Sequence, residues 1–102
     1  MNEDIIKPVE MGYVGEDADG NFVKVSRRDW LQFLKLMRHV QRAEQLHPTF
    51  GEGVYQGLGR IGEEYGELVR ACNHEEGEKR VMDEAMDTLA VTWRFIRGDW
   101  RV

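Results

Sequence analysis

Three stretches of the sequence repeat apolar residues at intervals of three and four, the spacing that places side chains on one face of an α-helix. They predict helices from about Arg27 to Leu46, from about Val54 to Asn73 and from about Glu78 to Arg97. Local signals agree with these ends. Ser26 is placed as an N-cap, and Gly98 is placed as a C-cap.

The stretch before the first helix has a different pattern. Alternating residues from Tyr13 to Val25 flank an Asp-Gly pair, which is a strong short-range signal for a β-hairpin. A flexible arm with a tight turn is the alternative, and residues 1–12 are expected to be loosely structured. We therefore expect an N-terminal arm at 1–25 and a helical domain at 26–102.

Apolar residues on the last two helices predict how the helices pack. The second helix carries a seam that we expect to be buried: Leu58, Ile61, Tyr65, Leu68 and Cys72. The third helix is apolar on two faces. One comprises Val81, Ala85, Leu89, Trp93 and Ile96, and the other continues beyond two acids into Val91 and Phe95. A helix buried on two sides in so short a chain indicates a partner subunit. The predicted fold is an all-α antiparallel helical bundle, completed by self-association to a dimer or tetramer, with a small N-terminal β-hairpin.

Composition and charge exclude several classes of protein. The chain has 102 residues and a net charge of −5, which argues against a general nucleic-acid binder. It has no apolar run long enough to span a membrane, and its acidic start lacks the pattern of a signal peptide. One cysteine cannot form an internal disulfide. A cytoplasmic location is the expectation.

Two acidic clusters carry the candidate chemistry. Glu63, Glu64 and Glu67 lie on the second helix, and Glu84 and Asp87 lie on the third. Within each cluster, residues three or four apart share a helix face, and a short turn at 73–77 makes the two helices antiparallel neighbours. Two unit charges at 4 Å repel by about 4 kcal/mol at an effective dielectric of about 20, so converging carboxylates favour a hard cation. Oxygen ligands suit Mg²⁺, Mn²⁺ or Ca²⁺, whereas two solvated acidic faces are the simpler alternative.

The two clusters and their neighbours resemble a known family. The segments Ile61–Leu68 and Asp83–Leu89 are similar to the two acidic helices of the MazG-like all-α NTP pyrophosphohydrolases. That superfamily also contains the dimeric all-α dUTPases and the dCTP pyrophosphatases. The similarity extends over about 58–95 and leaves the hairpin and the C-terminal tail outside.

The resemblance implies a Mg²⁺-dependent enzyme that converts a nucleoside triphosphate to the monophosphate and pyrophosphate, with Mn²⁺ as an alternative metal. Carried over by position, Glu64, Glu67, Glu84 and Asp87 are metal ligands. Glu63 becomes an additional ligand, or the residue that activates or orients the attacking water.

Phosphate-binding residues are harder to assign. The family has basic or amide residues beyond the second acidic helix, whereas this chain has no clear fourth helix after Gly98. The candidates are Lys79, Arg94 and Arg97, without a choice among them.

Two other functions compete with the hydrolase. A non-catalytic helical interaction module explains the apolar stripes equally well. A redox di-metal bundle uses paired Glu-x-x-His motifs, of which this chain has one, Glu44-x-x-His47, followed at once by Pro48.

Overall fold

The computed structural model describes residues 7–9 and 12–101, which divide between two compact units, 1–34 and 35–102. Three short strands precede three helices of 20 residues each. The elements are β1 (Lys7–Val9), β2 (Gly12–Glu16), β3 (Phe22–Ser26), α1 (Arg27–Leu46), α2 (Val54–Asn73) and α3 (Glu78–Arg97). All three helices have the predicted bounds, which confirms a mostly helical chain with an N-terminal hairpin.

The first unit contains an antiparallel sheet in the order β1-β2-β3. In the predicted hairpin, Tyr13 pairs with Val25, and the turn places Gly20 at φ 84°. Asp17 Oδ1 accepts hydrogen bonds from the backbone N–H groups of Asp19 and Asn21 at 2.9 and 2.8 Å.

β1 was not predicted, and the expectation of loose structure over 1–12 was wrong at residues 7–9 and 12, which lie in strands. β1 pairs with β2 at the edge of the sheet, where Pro8 is tolerated because an edge strand need not donate every backbone N–H. The expectation of loose structure at 1–6 and 10–11 lies outside the described residues.

The predicted helix ends are confirmed. Ser26 Oγ accepts a hydrogen bond from the backbone N–H of Asp29 at 3.1 Å, at the start of α1. Gly98 adopts a left-handed conformation at φ 86°, and its N–H donates to the carbonyl oxygen of Phe95 at 3.0 Å.

In the second unit, α2 and α3 form an antiparallel pair joined by the short turn at 74–77. Gly57, near the start of α2, lies against Phe95, near the end of α3. A Cβ atom at Gly57 would lie 2.9 Å from Phe95 Cδ1, so glycine is required for this close approach. At Gly59, Gly62 and Gly66 no other side chain of the described residues would lie within 4 Å of an added Cβ atom.

The core of the second unit lies elsewhere than the predicted seam. Its buried apolar residues are Leu36, Val40, Phe50, Ala71 and Ala90. Of the predicted seam, Leu58 and Tyr65 are 56% and 60% exposed, and Cys72 is exposed, so the prediction of burial was wrong for these three. The other two members, Ile61 and Leu68, are half-buried. The face of α2 that is buried within the chain instead carries the small residues Gly57 and Ala71.

On α3 the acidic face is the inward one. Glu84, Ala90 and Arg94 are buried, whereas Leu89 and Ile96 on the opposite face are 47% and 76% exposed. None of the helices that the structure describes is long and apolar enough to cross a membrane.

Candidate metal centre

Three carboxylates converge between α2 and α3. One carboxylate oxygen from each of Glu64, Glu84 and Asp87 lies within 4.8 Å of the corresponding oxygens of the other two. The antiparallel pairing produces this arrangement, because it brings the middle of α2 opposite the acidic segment of α3. We refer to Glu64, Glu84 and Asp87 as the acidic cluster.

Glu84 is the most deeply buried member of the acidic cluster, with 3% of its surface exposed. Its Oε1 atom lies 2.6 Å from a guanidinium nitrogen of Arg80, one helical turn earlier. Its Oε2 atom is buried and has no hydrogen-bond partner within the described part of the chain. Buried carboxylate oxygens are normally paired or bound to a metal, so the chemistry of this atom is that of a candidate metal ligand.

Electrostatics within the acidic cluster disfavour the charged state. Burial raises the pKa of Glu64, and the neighbouring carboxylates of Glu67, Asp87, Glu84 and Glu63 raise it further, in that order of influence. Burial also raises the pKa of Glu84, although the nearby guanidinium group opposes that rise. A divalent cation would remove both penalties, since it compensates the repulsion and supplies a partner for the buried oxygen.

The fourth predicted ligand and the predicted catalytic residue lie beside the acidic cluster. Glu67 is exposed on α2, and its carboxyl group is close enough to contribute to the raised pKa of Glu84. Glu63 is also exposed, and of the acids that raise the pKa of Glu64 it has the smallest effect. The acidic cluster therefore contains three of the four predicted ligands, and Glu67 lies beside it.

Asp87 has a partner that the sequence did not suggest. His39 on α1 is half-buried, and its Nδ1 atom lies 2.7 Å from Asp87 Oδ1. The contact involves residues 48 positions apart, so only knowledge of how α1 packs on α3 would reveal it.

A groove of about 880 Å³ adjoins the acidic cluster and is lined from both α1 and α3. Glu64 and Asp87 lie in its wall together with five Lys and Arg side chains: Lys35, Arg38, Arg42, Lys79 and Arg80. The three on α1 were missed by the sequence reasoning. Their spacing of three and four was the available signal, because it places them on one helix face.

Lys79, one of the predicted phosphate-binding residues, lies in the groove. Its Nζ atom forms an ion pair with Asp83 Oδ2 at 2.9 Å, between residues one turn apart on α3. The Lys79 side chain is 91% exposed, so this pair is weak and the ammonium group remains free to move.

Arg94 is placed differently, because its guanidinium group is buried among protein partners. It donates to Asp99 Oδ2 at 3.0 Å and to the carbonyl oxygens of His47 at 3.0 Å and Ala43 at 3.5 Å. Its Cζ atom also lies 5.0 Å from the centre of the Phe50 ring. These contacts tie the loop after α1 to the end of α3, which is a structural role.

Arg97 is also engaged outside the groove. Its Nη2 atom lies 2.6 Å from Asp99 Oδ2 and 3.2 Å from Glu44 Oε2. The hydrogen bonds that Arg97 donates to Asp99, followed by the one from Arg94, hold the pKa of Asp99 below its usual range. Glu44 is thus paired with a cation, and His47 lies beyond the end of α1, so the Glu-x-x-His pair does not take part in the closest acidic grouping.

Comparison with known proteins identifies no relative: no family model, curated protein or solved structure matches the chain. The site must therefore be interpreted from its own chemistry. It offers only carboxylate oxygens, one of them buried and unpaired among the described residues, beside a groove rich in cations. Such a donor set fits Mg²⁺ or Mn²⁺ better than zinc or copper.

Proposed function

We propose that the chain is a Mg²⁺-dependent nucleoside triphosphate pyrophosphohydrolase, which converts an NTP or dNTP to the monophosphate and pyrophosphate. The observation that carries the proposal is the convergence of Glu64, Glu84 and Asp87 with a buried, unpartnered Oε2 atom on Glu84. The resemblance of the two acidic segments to the MazG-like enzymes supplies the reaction class, and the groove beside them has room for a nucleotide-sized ligand.

Under this proposal the acidic cluster holds the metal, with Glu67 as a further ligand from the adjacent turn of α2. When bound, Mg²⁺ neutralises phosphate oxygens and favours ionisation of the attacking water. Arg80 and His39 each engage one oxygen of a cluster residue. They restrict how Glu84 and Asp87 rotate, and so keep the remaining oxygens directed toward a common point.

Glu63 is the candidate for orienting or deprotonating the attacking water. It is exposed and precedes a cluster member directly, so its carboxylate is accessible to solvent while its backbone is fixed within α2. A base in this position accepts a proton at a carboxylate oxygen as the phosphoanhydride bond breaks.

Self-association is the second part of the proposal. On α2 an apolar stripe of Tyr55, Leu58, Tyr65 and Val69 is exposed, and it includes Gly62, above which space is open. On α3 a second stripe recurs every seven residues at Met82, Leu89 and Ile96. Apolar residues at intervals of three, four and seven positions are typical of a helix–helix interface. Glycines within such a stripe allow close approach of a second helix. A second copy of the chain is the proposed occupant.

The activity is tested by a pyrophosphate-release assay over canonical and modified nucleoside triphosphates, with and without Mg²⁺. We expect release with at least one triphosphate, dependent on Mg²⁺ or Mn²⁺ and lost in Glu84→Gln. Glu52→Gln is a matched control, because it removes an exposed carboxylate outside the acidic cluster and should leave the rate unchanged.

The rival functions give different results in the same assay. A folded protein that releases no pyrophosphate from any triphosphate indicates the non-catalytic interaction module. A protein that carries iron or manganese through purification and releases no pyrophosphate indicates the redox bundle.

A further inference from the structure

The groove beside the acidic cluster has an unequal distribution of charge. Five Lys and Arg residues line it against three Asp and Glu residues, in a chain whose net charge is −5. A concentration of positive charge in an otherwise acidic protein attracts anions, and concave walls strengthen the local potential. The groove therefore favours an anionic ligand even though it adjoins three carboxylates.

The cations contributed by α3 are already engaged with acids. Lys79 pairs with Asp83 at 2.9 Å, and Arg80 lies 2.6 Å from Glu84 Oε1 and 3.5 Å from Glu76 Oε1. These acids, two on α3 and one in the turn before it, offset part of the charge of Lys79 and Arg80.

The cations contributed by α1 are not engaged in this way. The side chains of Lys35, Arg38 and Arg42 are exposed, and they form no ion pair or hydrogen bond with any residue in 7–9 or 12–101. Unpaired guanidinium groups directed into a groove are available to bind a ligand, and arginine in particular binds phosphate oxygens through two parallel N–H donors.

The spacing of these residues suits an extended ligand. Lys35, Arg38 and Arg42 lie on one face of α1, and the seven steps along the chain from Lys35 to Arg42 rise by about 10 Å along the helix axis. His39, between them, contacts the acidic cluster through Asp87. One helix face thus joins a row of cations to the proposed metal centre.

We infer that Lys35, Arg38 and Arg42 bind the phosphate chain of the substrate, which makes the groove a polyphosphate site that extends from the acidic cluster along α1. The inference rests on the proposed function for the identity of the ligand. It assigns phosphate binding to the first helix, in place of Arg94 and Arg97, whose guanidinium groups are held by Asp99.

A nucleic acid is a poorer fit for the same row of cations. A phosphodiester backbone continues past any binding site, and here it would run onto the surface of a chain with net charge −5. A triphosphate ends within the groove, and its terminal phosphates can share a divalent cation with the acidic cluster.

Binding of inorganic tripolyphosphate, measured by calorimetry with and without Mg²⁺, tests the inference without relying on turnover. The test variant is Arg38→Gln/Arg42→Gln, and both positions are exposed, so the fold should be retained. We expect its Kd for tripolyphosphate to rise by about tenfold or more, since each lost charged hydrogen bond weakens binding substantially.

The matched control is Arg28→Gln/Arg70→Gln, which changes net charge equally at exposed positions outside the groove. Its Kd should stay within about twofold of that of the unmodified chain, because screening limits the influence of surface charges that do not contact the ligand. An unchanged Kd in the test variant overturns the inference. So does an unmodified chain that binds no tripolyphosphate, or one that binds a single-stranded oligonucleotide instead.

The hydrolase proposal and the groove inference can fail separately. If tripolyphosphate binding weakens as expected and no nucleoside triphosphate is hydrolysed, the groove inference stands and the proposed reaction is wrong. If hydrolysis occurs and the test variant leaves KM unchanged, the proposed reaction stands and the groove inference is wrong.

Discussion

The Nδ1 atom of His39 lies 2.7 Å from Oδ1 of Asp87, and this contact joins α1 to the acidic cluster. Asp87 is 46% exposed at its side chain, so without a partner its carboxylate would rotate freely in solvent. The imidazole ring restricts that rotation. A ligand that is already oriented loses less entropy when it binds a cation, which gives His39 a positioning role at the metal centre.

His39→Ala should therefore weaken Mg²⁺ binding, by about 10- to 100-fold if His39 acts as an outer-shell partner typically does. Calorimetric titration with Mg²⁺ measures the change. His74→Ala removes an exposed histidine outside the acidic cluster and serves as the control. His39→Gln retains a hydrogen-bond donor and should recover part of the affinity. An affinity for Mg²⁺ that is equal in all variants would show that His39 only packs against α3.

Glu64→Gln should raise the thermal stability of the metal-free protein at pH 7. Burial and four neighbouring acids raise the pKa of Glu64, so its ionised form costs folding free energy that a neutral amide does not. We expect the melting temperature to rise by roughly a few °C. Added Mg²⁺ should then stabilise the variant less than the unmodified chain, because a ligand has been removed.

Differential scanning fluorimetry with and without Mg²⁺ measures both effects. Glu52→Gln, an exposed acid away from the acidic cluster, should change neither the melting temperature nor the response to Mg²⁺. If Glu64→Gln melts at a lower temperature than the unmodified chain without Mg²⁺, the carboxylate is stabilising and the repulsion argument fails.

The helices and the hairpin could be predicted from local sequence, whereas the inward faces of the helices could not. Apolar periodicity, Ser26 and Gly98 are local signals, and the helix bounds follow from them. The seam through Leu58 and Tyr65 was placed inside because apolar residues are usually buried, yet the structure turns Gly57 inward instead. Tertiary packing decides which apolar stripe faces the chain's own core. A stripe that packs against a partner subunit has the same sequence pattern.

The residues of the candidate site could likewise be predicted only in part from the sequence. Three of the five predicted acids converge as their spacing suggested, because this convergence needs only two antiparallel helices and a short turn. The contributions of His39, Arg38 and Arg42 depend on how α1 lies along α3, which no local pattern encodes. Arg94 was considered for phosphate binding because of its charge, whereas its burial beside Asp99 emerges only from the folded chain.

Asp99→Asn should destabilise the protein at neutral pH. Asp99 accepts hydrogen bonds from Arg94 and Arg97, and the loss of its charge leaves a buried guanidinium group poorly compensated. We expect the free energy of unfolding to fall by about 1–3 kcal/mol at pH 7. Urea denaturation of both proteins measures the difference.

The loss of stability in Asp99→Asn should depend on pH. The pKa of Asp99 is lower in the folded state than its ordinary value of 3.8, so its ionisation stabilises the fold above that pH. The stabilisation is lost as the pH falls through the lowered pKa, and the two proteins should then converge in stability. Asp19→Asn changes an exposed turn position, so its stability should be close to that of the unmodified chain at every pH. A gap that stays constant down to the lowest pH at which both fold would contradict the ion-pair explanation.

Gly57→Ala and Gly59→Ala should change stability in opposite directions. A Cβ atom at Gly57 would lie 2.9 Å from Phe95 Cδ1 and 3.2 Å from Phe50 Cε2, so overpacking should cost about 1–3 kcal/mol. A Cβ atom at Gly59 would meet no atom of the described residues within 4 Å apart from the nearby backbone of α2, and alanine should stabilise the helix by up to about 1 kcal/mol. Thermal or urea unfolding of the pair measures this. Equal effects of the two substitutions would mean that α2 and α3 do not approach closely at Gly57.

Leu89→Glu/Ile96→Glu should separate the proposed oligomer into monomers. The two residues are 47% and 76% exposed on one face of α3, so charges there should be tolerated by a single copy but not in a desolvated interface. Sedimentation velocity measures the change, and circular dichroism checks that helicity is retained. Gln41→Glu adds a charge at an exposed polar position of α1 and should leave the oligomer intact. If the unmodified chain sediments as a monomer across the micromolar range, the exposed stripes have another occupant and the fold does not depend on self-association.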